Sequence, residues 1–169
     1  YSSKINVLGK DVMPPRMKDL SGADWTRKYF DREIIQDCNL TGANLTGINI
    51  SFCRLSNINL TGANLSNADV TGSDFTGVNL NGANLTDAKF KFCILNKANL
   101  NEANLTRTRL NAELNGAILT GVDLSSASLQ IRAMMNGANL SGVDLTGLTL
   151  VGFQLSGANL TGANLTEAN

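Results

Sequence analysis

The sequence predicts a solenoid of stacked, turn-rich coils, and three observations carry that reading. An apolar residue returns every five positions from Leu40 through Leu45, Ile50 and Leu55 to Leu110. A small or apolar residue stands two positions before nearly every one of them, from Cys38 and Ala43 to Ala103. Ser, Thr or Asn follows most of them, with Gly next in about half of the units. A period of five is neither the helical 3.6 nor the strand 2.0, so no single helix or strand holds the pattern on one face. Glycine in about half of the units also disfavours helix, at about 1 kcal/mol each relative to Ala. A coil that points two residues of every five inward satisfies the pattern. It cannot bury its own faces, so successive coils must stack.

The phase of the repeat slips twice, and the slips cancel. Leu110 is followed by Leu114 after four residues, and Leu129 by Met135 after six. The small-residue rule holds on both sides. The first slip therefore reads as a tight corner, the second as a one-residue bulge near Gln130 to Arg132.

Composition narrows the chemistry. The 169 residues carry 14 basic and 14 acidic side chains and no His. Net neutrality removes the electrostatic drive toward nucleic acid or an anionic membrane. Without His there is no Ser-His-Asp or Cys-His arrangement and no imidazole metal ligand. No apolar run approaches the roughly 20 residues of a membrane span. No signal peptide is visible, and the sequence begins at Tyr1. We expect no enzyme activity, no cofactor and no bound metal.

The unit Ala-Asn-Leu-Thr-Gly resembles the pentapeptide-repeat family, whose pattern is A-(N/D)-L-x-x. Gly42-Ala43-Asn44-Leu45-Thr46, Gly62-Ala63-Asn64-Leu65-Ser66 and Gly162-Ala163-Asn164-Leu165-Thr166 match it fully. The resemblance covers at least residues 38–169, and weakly from Leu20. It implies an all-β fold, a right-handed quadrilateral β-helix with four repeats per coil. Roughly 30 repeats then give about seven coils and a rod near 34 Å long at strand spacing. Residues 20 apart should stack. Asp74 then neighbours Arg54, and Asp69 neighbours Lys89, opposite charges that serve as register marks.

Phe52 and Phe92 are the departures that point to a site. Each replaces the unit's Gly at an outward position, in Ser51-Phe52-Cys53-Arg54 and Lys91-Phe92-Cys93-Ile94. They are 40 residues apart, so they project from one face two coils apart with Gly72 between. Ile94 stands where Asn or Asp is expected. Phe52, Phe92 and Ile94 with Arg54, Lys89 and Lys91 form a candidate partner-binding patch, with Arg107 and Arg109 adding charge on a neighbouring face. The other reading is that a loop or the N-terminal segment covers it. The remaining candidates read as structural. Cys38, Cys53 and Cys93 occupy the small inward position as buried fillers. Asp123 and Asp144 fall on one face in adjacent coils, where they read as solvated surface carboxylates. The Asn-x-Ser/Thr triplets follow from the repeat itself.

The two ends differ. Residues 1–34 hold seven of the basic residues and five of the acidic ones, both prolines, Tyr1, Trp25, Tyr29 and Phe30. They read as an N-terminal cap with a degenerate first coil centred on Trp25 and Phe30. Residues 35–169 read as the β-helix, which ends one residue short of the next central Leu. That end predicts either a chain that continues or a homodimer formed by stacking of the last coil.

The expected function is a non-enzymatic scaffold for an unidentified protein partner. Two alternatives come with the resemblance. One is a DNA-mimic inhibitor of type II topoisomerase, which needs a strongly acidic surface; residues 35–169 carry nine acidic and seven basic residues. The other is the recognition domain of a larger bacterial effector or multidomain protein. The resemblance also admits cyanobacterial and plastid proteins, and the cysteines fit a reducing compartment.

Overall fold

The computed structural model describes residues 18–36, 38–129 and 133–169. Tyr1, Pro14, Pro15 and the bulge expected near Gln130 to Arg132 lie outside them.

Most repeats fold as one turn and one parallel bridge. In the unit around Leu40, the Ala43 N–H donates to the Leu40 carbonyl at 3.0 Å and closes a turn over Thr41 and Gly42. The third turn residue, Gly42, has φ 64°, the left-handed sign that a type II turn requires there. The outward Asn39 steadies the turn: its Oδ1 accepts the Thr41 N–H at 3.2 Å and the Thr41 hydroxyl at 2.6 Å. These local bonds explain the Asn/Asp and Ser/Thr preferences of the unit.

The coil-to-coil bonds run through the backbone. The Leu40 N–H donates to the Asn59 carbonyl at 2.7 Å, and the Asn64 N–H donates to the Ala43 carbonyl at 2.9 Å. Short strands form where bridges run together. They are β1 (Lys18–Asp19), β2 (Tyr29–Asp31), β3 (Cys38–Asn39), β4 (Asn49–Ser51), β5 (Cys93–Ile94), β6 (Arg109–Leu110), β7 (Ala112–Glu113) and β8 (Ser128–Leu129). Every pairing is parallel and spans one coil: β1 with β3, β2 with β4, β5 with β7 and β6 with β8.

The register follows the phase of the sequence. Asn39, Asn59, Asn79 and Asn99 stack in one row at offsets of 20. Cys93 then pairs with Ala112 and Arg109 with Ser128, offsets of 19. Glu113 pairs with Met134 and Asp123 with Asp144, offsets of 21, before Met134 and Gln154 restore 20. The corner after Leu110 is therefore one residue short. The residue gained after Leu129 brings the rows back into line.

The core is a column of Leu, Ile, Val and Ala, almost all of it without solvent contact. Phe75 and Phe90 meet inside it with ring centroids 5.7 Å apart. Among the described residues two polar side chains, Ser73 and Thr108, are buried in this interior, and each is satisfied. The Ser73 hydroxyl donates to the Ile50 carbonyl at 2.6 Å and accepts the Cys53 N–H at 2.9 Å. The Thr108 hydroxyl donates to the Leu85 carbonyl at 2.7 Å. Residues 18–36 stack on the next coil in the same register, with the Trp25 N–H on the Asn44 carbonyl at 2.8 Å. Trp25 and Phe30 pack together there, 5.3 Å between centroids. Among the described residues, no helix is long and apolar enough to cross a membrane.

Candidate functional site

Two rows of outward residues flank one corner of the solenoid. The first is Tyr29, Asn49, Asp69, Lys89, Arg109 and Ser128. The second is Ile34, Arg54, Asp74, Ile94, Glu113, Met134 and Gln154. The corner between them carries Arg32, Phe52, Gly72 and Phe92 in successive coils, all with positive φ. Both phenylalanines are exposed, Phe52 at 54% and Phe92 at 78%. Seven large hydrophobic residues are exposed among the described residues, and five lie on this edge: Tyr29, Ile34, Phe52, Phe92 and Val151. Tyr29, Ile34 and Val151 join the patch expected from sequence, as does Met134 within it.

The two phenylalanines sit differently. Phe52 is sandwiched. Its ring lies over Gly72, so close that a Cβ there would meet two ring carbons at 2.6 Å. The Arg32 guanidinium covers the ring from the other side, 5.5 Å from its centroid, a cation–π contact. Phe92 has no residue at the equivalent corner of the next coil, because the short corner passes from Asn111 directly to Ala112. A cavity of about 220 Å³ opens there, lined by Phe92, Cys93, Asn111, Ala112, Glu113 and Met134. The Asn111 Oδ1 is buried beside it and accepts no hydrogen bond.

The charges on the edge are unevenly engaged. Lys89 pairs with Asp69 at 3.4 Å, as the 20-residue offset predicts. Burial raises the Asp69 pKa, but bonds from the Thr71 hydroxyl and N–H and the Lys89 charge outweigh it and leave the carboxyl lowered. Arg54 stacks beside Asp74, whose carboxylate also accepts the Ser56 hydroxyl at 3.0 Å. Arg107 is held away from the patch: its guanidinium grips Asp87 through two bonds of 2.7 and 2.6 Å. Lys89 and Arg109 are stacked like charges in adjacent coils, with Lys91 next to Phe92 in sequence.

The other candidates fall into place as parts of the scaffold. Cys38, Cys53 and Cys93 are all buried. Burial pushes the Cys93 thiol up to about 12 and raises that of Cys53, the opposite of an activated nucleophile. Asp123 and Asp144 are stacked neighbours, and each accepts the hydroxyl two residues on, from Ser125 at 2.6 Å and Thr146 at 2.5 Å. Among the described residues, no group of three His, Cys, Asp or Glu side chains is placed to hold a metal.

The family model for pentapeptide repeats matches in eight copies, over residues 19–51, 43–82, 53–91, 83–130 and 138–169. No curated protein matches the chain. Among solved structures, a trypsin-treated form of QnrB1, a plasmid-mediated fluoroquinolone resistance protein, is 18% identical, covers 90% of each chain and has a TM-score of 0.50. HetL, a pentapeptide repeat protein involved in heterocyst differentiation regulation from Nostoc sp. strain PCC 7120, is 28% identical over 90% of this chain and 72% of its own, with a TM-score of 0.34. A pentapeptide repeat protein from the Arabidopsis thaliana thylakoid lumen is 22% identical over 79% of this chain and 65% of its own, with a TM-score of 0.31. With the parallel bridges at four repeats per coil and the family match along nearly all described residues, the chain belongs to the pentapeptide-repeat family.

Proposed function

We propose that this protein is a non-enzymatic scaffold of about seven right-handed coils that holds a protein partner along the Phe52–Phe92 edge. One observation carries the reading: two bulky aromatic residues occupy left-handed corner positions and remain exposed. A left-handed conformation costs an L-residue about 1–2 kcal/mol, and exposure forfeits the gain from burying the ring. The fold alone gains little from Phe92, whereas clustered exposed aromatics are the usual anchors of protein interfaces. Tyr29, Ile34 and Val151 extend the apolar edge over several coils. In this reading the patch comprises Phe52, Arg54, Lys89, Lys91, Phe92 and Ile94, with Met134 beside them at the cavity.

The topoisomerase reading has less support. The fluoroquinolone resistance protein shares the fold at 18% identity, and this chain's net charge is zero, unlike a DNA mimic. A supercoiling assay with purified gyrase separates the two readings, since a scaffold leaves the enzyme unaffected.

The direct test is photo-cross-linking in the cells that make the protein. A benzophenone side chain at Phe52 or Phe92 should yield one discrete adduct, while the same group at Thr61, on another face, yields none. Equal adduct formation at all three sites would overturn the reading.

A further inference from the structure

We infer that the notch beneath Phe92 takes an extended peptide segment of the partner, one in which an acidic residue adjoins an aromatic or aliphatic one. This rests on the scaffold reading above and specifies what the edge recognises.

Three independent features converge at the notch. The first is shape. The corner that would floor Phe92, as Gly72 floors Phe52, lacks its left-handed residue, and the cavity occupies that place. Phe92 on one side and Met134 on the other make apolar walls for an inserted side chain. Ile94 continues the apolar surface, stacked directly before Glu113 in the row that leads to Met134.

The second feature is an unanswered acceptor. The Asn111 Oδ1 is buried without a donor, a state that costs about 1–3 kcal/mol when nothing answers it. A main-chain N–H is the donor that every extended segment carries, and at this spot it would satisfy the oxygen while the adjoining side chain fills the notch.

The third feature is charge. Lys91 precedes Phe92, and Arg109 precedes Asn111 by two positions. Arg109 stacks on Lys89, so the row presents two like charges in adjacent coils, of which Asp69 pairs with Lys89. Glu113, the acid lining the notch, is engaged by the Asn96 side-chain amide at 3.1 Å. Glu113 keeps its negative charge through that bond, so Lys91 and Arg109 leave the surroundings of the ring with one net positive charge, which a carboxylate next to the inserted side chain would answer. The same charge disfavours the chain's own residues 1–17 as the occupant, because Lys4, Lys10 and Arg16 stand there against Asp11 alone.

The test is selection of seven-residue peptides from a random display library on the intact 169-residue chain, followed by titration of the enriched sequences. The expected result is a family pairing Asp or Glu with Phe, Trp, Leu or Met. Its affinity should fall at least tenfold with Phe92→Ser and with Arg109→Glu, and change less than twofold with Arg107→Glu. Phe92 and Arg109 are exposed, and each variant's unfolding midpoint verifies that the fold is retained. Peptides enriched in Lys or Arg, binding indifferent to Phe92→Ser, or no enriched family would each overturn the inference. Cross-linking at Phe52 in cells reports on the scaffold reading alone, so a discrete adduct there with no acidic peptide family would reject the notch while keeping the edge.

Discussion

The Phe52 ring occupies the space that a side chain at Gly72 would need: a Cβ there would lie 2.6 Å from both its Cδ1 and Cε1 atoms. Glycine at this corner does two jobs. It adopts φ 72° without the left-handed penalty, and it leaves a flat floor for an aromatic ring one coil away. Gly72→Ala should therefore destabilise the protein by about 1–2 kcal/mol for the backbone alone, plus the displacement of Phe52. In a Phe52→Ala background the second part vanishes, so the same substitution costs less there. Urea unfolding of the four proteins measures this coupling. Equal costs in both backgrounds would show that the ring moves aside freely.

A second relationship caps four turns in which the outward Asn or Asp is missing. Normally that residue accepts the N–H two positions on, as Asn39 does for Thr41. Glu113, Ile118, Met134 and Gln154 stand in its place, and in each case an Asn one coil away supplies the oxygen. Asn96 accepts the Asn115 N–H, Asn101 that of Thr120, Asn115 that of Asn136, and Asn136 that of Ser156, at 2.9 to 3.1 Å. Asn115→Ala should cost about 1 kcal/mol. Adding Met134→Asn should restore most of it, because a local cap for the Asn136 N–H returns. Thermal unfolding of the single and double variants checks this, and no rescue would mean the cross-coil bond carries no stability.

Much of this was legible in the sequence because the solenoid is nearly one-dimensional. A period of five and a stack of 20 placed Asp69 against Lys89 and aligned Phe52 with Phe92. The two slips appear in the register as offsets of 19 and 21. The same arithmetic finds Arg107 opposite Asp87, a pair that sequence reasoning missed by treating Arg107 as free charge. The Asn ladder also had a signal, since Asn replaces Ser or Thr at positions 96, 101, 115 and 136. Tyr29 and Ile34 were obscured because their coil departs most from the repeat. The notch under Phe92 and the orphaned Asn111 Oδ1 depend on how a shortened corner closes. Spacing alone does not say that.

Alkaline stability should report on the buried thiols. Burial pushes Cys93 up to about 12 from a reference of 9.0, so between those values the unfolded chain has lost a proton that the native chain retains. The contribution is fully present below about pH 9 and is lost as pH rises toward 12. Cys93→Ala should flatten that decline in the urea midpoint. In native protein at pH 8, Cys53 and Cys93 should also react slowly with a disulfide reagent and become reactive on unfolding. Fast modification without unfolding would contradict their burial.

Acid stability should depend on the stacked aspartates. Asp69 and Asp74 are partly buried, which raises their pKa values. Bonds from the following Thr hydroxyl and N–H, together with Lys89 or Arg54, reverse the sign and leave both lowered from 3.8. Their stabilisation is present above that reference value and is lost as pH falls through the lowered values. Asn in the same position keeps the oxygen that caps the turn, as Asn39 and Asn44 do, but has no proton to gain. Asp69→Asn with Asp74→Asn should therefore leave neutral-pH stability within about 1 kcal/mol of the parent. The same pair should make the urea midpoint less steep between about pH 2 and 5. A large loss at neutral pH would mean that the charge pairs, rather than the turn caps, hold these coils in register.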